Sequence, residues 1–196
     1  MDNTSSGMST GKIILIGAVV LILALVFGAF GSYNSLVNAK EDVSSEWANI
    51  QTQLQRRSDL IPNLVNTVKG YAAHETEIMT TISNARTKLH SASSVADKAE
   101  ANNELSGALS RLMVIVENYP NLKADSQYTA LMDELSGTEN RISTARIDYN
   151  EQVSRFNKKI KTFPSVIIAN MFGFKEEEYF EATQGAETVP TVDFGA

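Results

Sequence analysis

The stretch Gln55-Arg56-Arg57-Ser58-Asp59-Leu60-Ile61-Pro62-Asn63 decides how this chain folds. Two arginines, a carboxylate and a proline interrupt an otherwise regular helical pattern there. Just upstream, Val43, Trp47, Ile50 and Leu54 recur at spacings of 4, 3 and 4, one apolar face of a helix. Two readings of the interruption compete. The rhythm can be carried on through positions 54, 57, 61 and 64, giving one long first helix kinked at Pro62. Alternatively, the helix stops near residue 58. Arg56 and Arg57 then lie in a last turn, where cations meet the negative end of the helix dipole. Asp59 caps the next helix, and Pro62 falls in its first turn, where a missing N–H costs nothing. A straight helix leaves the stripe from Val43 to Leu54 without a partner in its own chain, which is costly unless self-association covers it. The break closes an antiparallel four-helix bundle with short loops. The balance favours a break at 57–62, even though no glycine marks the reversal.

Further stripes downstream make the chain all-α. Leu64, Val68, Tyr71, Ile78, Ile82, Ala85 and Leu89 form one. Leu105, Leu109, Leu112, Val116 and Tyr119 form another, and a last one runs from Tyr128 through Leu135, Ile142, Tyr149 and Phe156 to Ile160. No window shows sustained period-two alternation, so strands are not expected. Ser94-Val95-Ala96-Asp97 reads as a capping box opening a helix, and Asn118-Tyr119-Pro120-Asn121 as a turn. Phe163-Pro164 ends the last long helix, and Ser165 can cap a short apolar helix over Val166, Ile167, Ile168, Met171 and Phe172.

The N-terminus is of another kind. Residues 1–12 are polar and rich in Gly, Ser and Thr, which reads as a disordered tail. Residues 13–31 (IILIGAVVLILALVFGAFG) carry no charge or strong polar group over 19 positions. A helix of that length spans roughly 28 Å, about the hydrocarbon thickness of a bilayer. A cleaved signal peptide has a shorter apolar core and a small-residue cleavage site, and Ala29-Phe30-Gly31 fits that poorly. An uncleaved single-pass anchor is therefore expected, with Ile13, Leu15, Val20, Leu23, Leu25, Phe27 and Phe30 facing lipid. Lys12 and Lys40 flank the run evenly. The short amino-terminal tail favours N-terminus inside and the domain outside the cytoplasm. The expected organisation is tail 1–12, anchor 13–31, bundle 32–161, and an apolar helix with an acidic extended tail over 162–196.

Composition excludes several classes of function. Cysteine is absent, which removes disulfides, thiolate metal sites and cysteine nucleophiles. The net charge of -6 is concentrated at the end: residues 162–196 hold one lysine and six acids, whereas 32–161 hold 15 basic and 16 acidic side chains. A near-neutral body with an acidic tail lacks the basic surface that nucleic acid requires. His74-Glu75 would need a histidine at Ile78 to make a zincin helix, and neither His74 nor His90 has a glutamate three residues earlier, as di-iron bundles need. No Gly-rich phosphate loop or nucleophile elbow is present. Arg57, Arg86, Arg141 and Arg146 read as salt-bridge partners of Glu75, Glu117, Glu139 and Asp148. No enzyme, cofactor or metal is expected.

Several blocks carry a resemblance: YNSLV at 33–37, QRRSDLIPNLVNTVKGYAAHE at 55–75, ENYPNLKA at 117–124, GTENRISTARIDYNEQVSRFN at 137–157, FPSVIIANMFGF at 163–174 and VPTVDF at 189–194. Together they resemble the LemA family of bacterial membrane proteins, from Tyr33 to Phe194. The resemblance implies a single N-terminal anchor followed by a helical bundle in the bacterial envelope, at the cytoplasmic membrane, and it brings no catalytic residues with it. The expected function is a non-enzymatic scaffold or membrane-organising protein; an accessory or sensor subunit in envelope signalling or proteolysis is the alternative. The expected partners are the lipid bilayer and an unidentified protein, self-association included. Ile167, Ile168, Met171 and Phe172 are the expected contact residues for lipid or partner, although Glu176, Glu177 and Glu178 argue against strong attraction to an anionic leaflet.

Overall fold

The computed structural model describes residues 10–181, apart from the side chains of Thr10 and Ile13. Six helices follow one another: α1 (Thr10–Tyr71), α2 (Thr76–Ser91), α3 (Val95–Val116), α4 (Pro120–Lys123), α5 (Ser126–Lys161) and α6 (Ser165–Phe172). No strand occurs among the described residues. Of the tail expected over 1–12, residues 1–9 lie outside the described residues and 10–12 are already helical; the acidic tail beyond residue 181 also lies outside them.

The break expected at 57–62 does not form. α1 runs through Arg56, Arg57, Asp59 and Pro62 to Tyr71, and the chain reverses at 72–75. The long first helix, weighed as the alternative, is the one that folds, for three reasons. The buried rhythm never pauses: Val43, Ile50, Leu54, Arg57, Ile61, Leu64 and Val68 all lie inside. The upstream stripe also has a partner in its own chain, because the long α5 returns beside it and the Trp47 ring lies 5.5 Å from that of Tyr149. Finally, Pro62 deprives the Ser58 carbonyl of its helical donor, and Nε of Arg86 on α2 donates to that carbonyl instead, at 2.9 Å. Asp59 is no cap; it accepts from Gln55 Nε2 at 2.8 Å, one helical turn back.

The described chain forms two compact units. Of the described residues, the larger comprises Asp42–Ser154 and 177–181. Within it α1 and α5 are antiparallel: Trp47 meets Tyr149, Gln53 meets Arg141 and Arg57 meets Glu139. α2 and α3 form a hairpin in which Lys88 reaches Glu100 and Glu104. Ser94 caps α3 by accepting the Asp97 N–H at 3.0 Å, as the capping-box reading predicts. Asp125 does the same for α5, accepting from the Tyr128 N–H at 2.9 Å. Residues 177–181 are clamped onto α5. Tyr149 donates its hydroxyl to the Glu178 carbonyl at 2.8 Å, and Asn150 both donates to the Phe180 carbonyl and accepts its N–H. The Phe180 ring is buried 6.2 Å from that of Trp47.

The smaller unit combines α1 up to Glu41 with Arg155–Glu176, that is, the end of α5 and all of α6. Its core is Leu36, Phe156, Ile160, Ile168 and Ala169, each large apolar side chain contributing about 1.5–3 kcal/mol. Lys159 Nζ donates to the Ser35 carbonyl at 3.0 Å. α6 starts after Pro164 with no side-chain cap, so Ser165 is its first residue rather than its cap. Gly173 ends it at φ +72°, a left-handed conformation that favours glycine. That turn returns the Phe174 N–H to the Ala169 carbonyl at 2.9 Å and sets the Phe174 ring 6.1 Å from Tyr33 and 6.3 Å from Phe156.

Candidate functional site

α1 contains an apolar window long enough to cross a membrane, and none of that window is buried. Leu15, Val20, Leu23, Leu25, Phe27 and Phe30 are all exposed; the Ile13 side chain lies outside the described residues. Twelve large apolar side chains between Ile14 and Phe30 face outward. Removing each from water is worth about 1.5–3 kcal/mol, so their exposure costs on the order of 20–30 kcal/mol until a hydrocarbon phase takes them up. Half-burial begins at Ala29, Ser32 and Tyr33, and burial is complete at Leu36.

Next to that point stands α6. Ile167, Met171 and Phe172 are exposed, as contact residues must be. Ile168 is not: it is buried with Ala169, because α6 has to turn one face into the core of its unit. Phe163 belongs with the exposed set at 80% exposure. It stands in the turn before α6 rather than on that helix, whereas Ile167 and Met171, four apart, share one of its faces. The Phe172 ring packs 4.7 Å from that of Tyr33 on α1.

In the bundle, the residues of the opening stretch take up structural posts. Arg57 is buried. Its Nη1 donates to Asn102 Oδ1 on α3 at 2.6 Å and pairs with Glu139 on α5. Burial pushes its pKa below the ordinary arginine value, and the Glu139 carboxylate partly opposes that. Its Nε and the Ser58 Oγ are buried without a hydrogen-bond partner among the described residues. With Arg86 on Ser58, all four long helices are joined across two adjacent residues of α1. Arg56 reaches Glu134 at 2.7 Å on the surface. Asn102 had a signal too: a polar residue three positions before Leu105, on the apolar stripe of its helix. Glu139, among the acids expected in salt bridges, pairs with Arg57, whereas Arg86, expected to meet a carboxylate, takes the Ser58 carbonyl.

An open groove of about 560 Å³ lies on the same bundle, lined by Gln51, Gln55, Ser58, Leu89, His90 and Lys98. Ser58 Oγ has no hydrogen-bonded base among the described residues. Among the described residues, no group of three or more His, Asp or Glu side chains is arranged to hold a metal ion.

These features define an all-α, membrane-associated protein in which, among the described residues, one helix is long and apolar enough to cross a membrane and leads into a clamped helical bundle. The chain belongs to the LemA family, whose model matches residues 46–194. It is 29% identical to Magnetosome protein MamQ 2 of Paramagnetospirillum magneticum over 96% of this chain and 79% of the relative. It is 26% identical to Magnetosome protein MamQ of Magnetospirillum gryphiswaldense over 93% and 76%, respectively. Protein LemA of Metamycoplasma hominis is also 26% identical, over 84% of this chain and 78% of the relative.

Proposed function

We propose that this protein is a non-enzymatic scaffold or membrane-organising protein of the bacterial envelope. It is anchored once in the cytoplasmic membrane, with its N-terminus inside and its bundle outside the cytoplasm. The observation that carries this reading is that one continuous helix supplies both the exposed apolar window and a buried stripe of the bundle. Arg57 and Arg86 of that bundle hold helices together. Relatives named magnetosome proteins, beside one named only Protein LemA, support a membrane-associated role. The partners are the bilayer and a protein, self-association included.

Two measurements test it. The chain lacks cysteine, so Val114→Cys, at an exposed position of α3, reports orientation. A membrane-impermeant maleimide should label it in intact spheroplasts; labelling only after lysis reverses the orientation. For scaffolding, gentle solubilisation and crosslinking in intact cells should recover a discrete high-mass assembly. A chain that stays monomeric and uncrosslinked under every mild detergent overturns the scaffold.

A further inference from the structure

We propose that α6 is an interfacial helix, its outward Ile167 and Met171, with Phe163 in the turn before it, seated in the headgroup–acyl boundary of an anionic bilayer beside the point where α1 leaves it. The inference rests on the membrane-anchored reading of α1 but goes beyond it, since an anchor needs no second contact with lipid.

Depth is the first observation. The Phe172 ring lies 4.7 Å from that of Tyr33, two residues past the uncharged run 13–31, and half-burial on α1 begins at Ala29, inside that run. α6 is thereby held at the level where hydrocarbon gives way to headgroups. The second observation is the face. Phe163, Ile167 and Met171 are 80%, 54% and 68% exposed, while Ile168 and Ala169 on the other side are buried. Exposed apolar side chains at Ile167, Met171 and Phe172, with Asn170 the one exposed polar residue of α6 beside them, fit a surface that accepts an apolar face about 5–10 Å into its boundary.

Charge is the third. Residues 32–41 and 155–176 hold six cations (Lys40, Arg155, Lys158, Lys159, Lys161 and Lys175) against Glu41 and Glu176, a net +4 in a chain of net -6. Counting the next two residues, Glu177 and Glu178, lowers this to +2 without reversing it. Glu176 and Lys161, 2.7 Å apart, neutralise each other, and Glu177 and Glu178 oppose the remaining cations without outnumbering them. Lysines among phosphates add about 1 kcal/mol each near an anionic surface.

Site-directed spin labelling of the full chain in bilayers containing phosphatidylglycerol tests the proposal. Met171→Cys, with Ile167→Cys as a second variant, reports α6; Val20→Cys reports the anchor and Val114→Cys the bulk solvent. The labels at 171 and 167 should collide more with oxygen than with a water-soluble nickel chelate, as at position 20, and position 114 should show the reverse. If position 20 reads lipid but 171 and 167 read water, α6 is not interfacial and the anchor stands. If position 20 itself reads water, membrane anchoring fails and this inference with it. Labels at 171 and 167 shielded from both reagents mean that a second copy covers the face, which also overturns it. Replacing phosphatidylglycerol with phosphatidylcholine should move the labels towards water; an unchanged depth removes the lysines from the proposal.

Discussion

Nε of Arg86 on α2 donates to the carbonyl of Ser58 on α1 at 2.9 Å, and Ser58 is the residue whose helical donor Pro62 eliminates, four positions on. A proline inside a helix is costly partly because it orphans that carbonyl, and an orphan is worst where water cannot reach it. Ser58 is 3% exposed. A side chain from a neighbouring helix fills the vacancy, and the helix continues.

Arg86→Met should therefore destabilise the protein by about 1–3 kcal/mol, the cost of a buried carbonyl left unpaired. In a Pro62→Ala background the alanine N–H satisfies Ser58 within the helix, and the same substitution should cost less than about 1 kcal/mol. Urea unfolding in detergent, followed by far-UV circular dichroism, measures both. Strictly additive effects would show that Arg86 does not stand in for the missing donor.

Arg57 poses a different question, whether its charge or its volume matters. Arg57→Ala leaves a cavity and an unpaired Asn102, and should cost about 3–5 kcal/mol. Arg57→Met keeps the volume but still strands Asn102, and should cost about 1–3 kcal/mol. Glu139→Gln should cost about 1 kcal/mol, because the Glu139 side chain is 44% exposed and water can screen the change. If the methionine variant is as damaged as the alanine one, the ion pair itself holds the bundle.

The clamp on residues 177–181 predicts a local effect. Phe180→Ala removes a ring that is 2% exposed and should cost about 3–4 kcal/mol. Tyr179→Ala, at a position 41% exposed, should change stability by less than about 0.5 kcal/mol. Asn150→Ala should release the Phe180 amide, seen as faster hydrogen exchange there, while α2 and α3 keep their protection. Unchanged exchange at Phe180 would rule out the clamp.

Tyr149 makes stability fall in alkali. Burial, with the Glu177 and Glu178 carboxylates adding to it, pushes its pKa up to about 12. An unfolded tyrosine ionises near pH 10. Between those values the folded state holds a proton that the unfolded state has released, so stability is fully present below about pH 10 and is lost as pH rises towards 12, by up to about 2 kcal/mol. Tyr71, Tyr119 and Tyr128 are raised as well. Tyr149→Phe should therefore flatten the loss without abolishing it. Melting temperature measured from pH 8 to 12 shows the difference; parallel curves for the two proteins would exclude Tyr149.

Some of this architecture is written locally. An uncharged run of 19 residues is long enough for a bilayer whatever follows it. The stripes of α3 and α5 and the Ser94 cap depend on neighbours within a few positions, so periodicity and capping chemistry suffice to place them; of the turn expected over 118–121, Pro120 and Asn121 instead open the short helix α4. The apolar character of α6 is equally plain, but its orientation is not: Ile167 and Ile168 look alike in sequence, and only the packing of α6 on Leu36 and Phe156 sends one outward and the other in. The fate of Arg56-Arg57-Ser58-Asp59 and Pro62 was decided further away still. Read locally, those residues are good helix ends, because dipole, cap and proline terms all point that way. Each term is worth about 1 kcal/mol or less. Arg86, Asn102 and Glu139, 28, 45 and 82 positions from their partners, outweigh them. Burying a stripe that runs without pause from Val43 to Val68 does the rest.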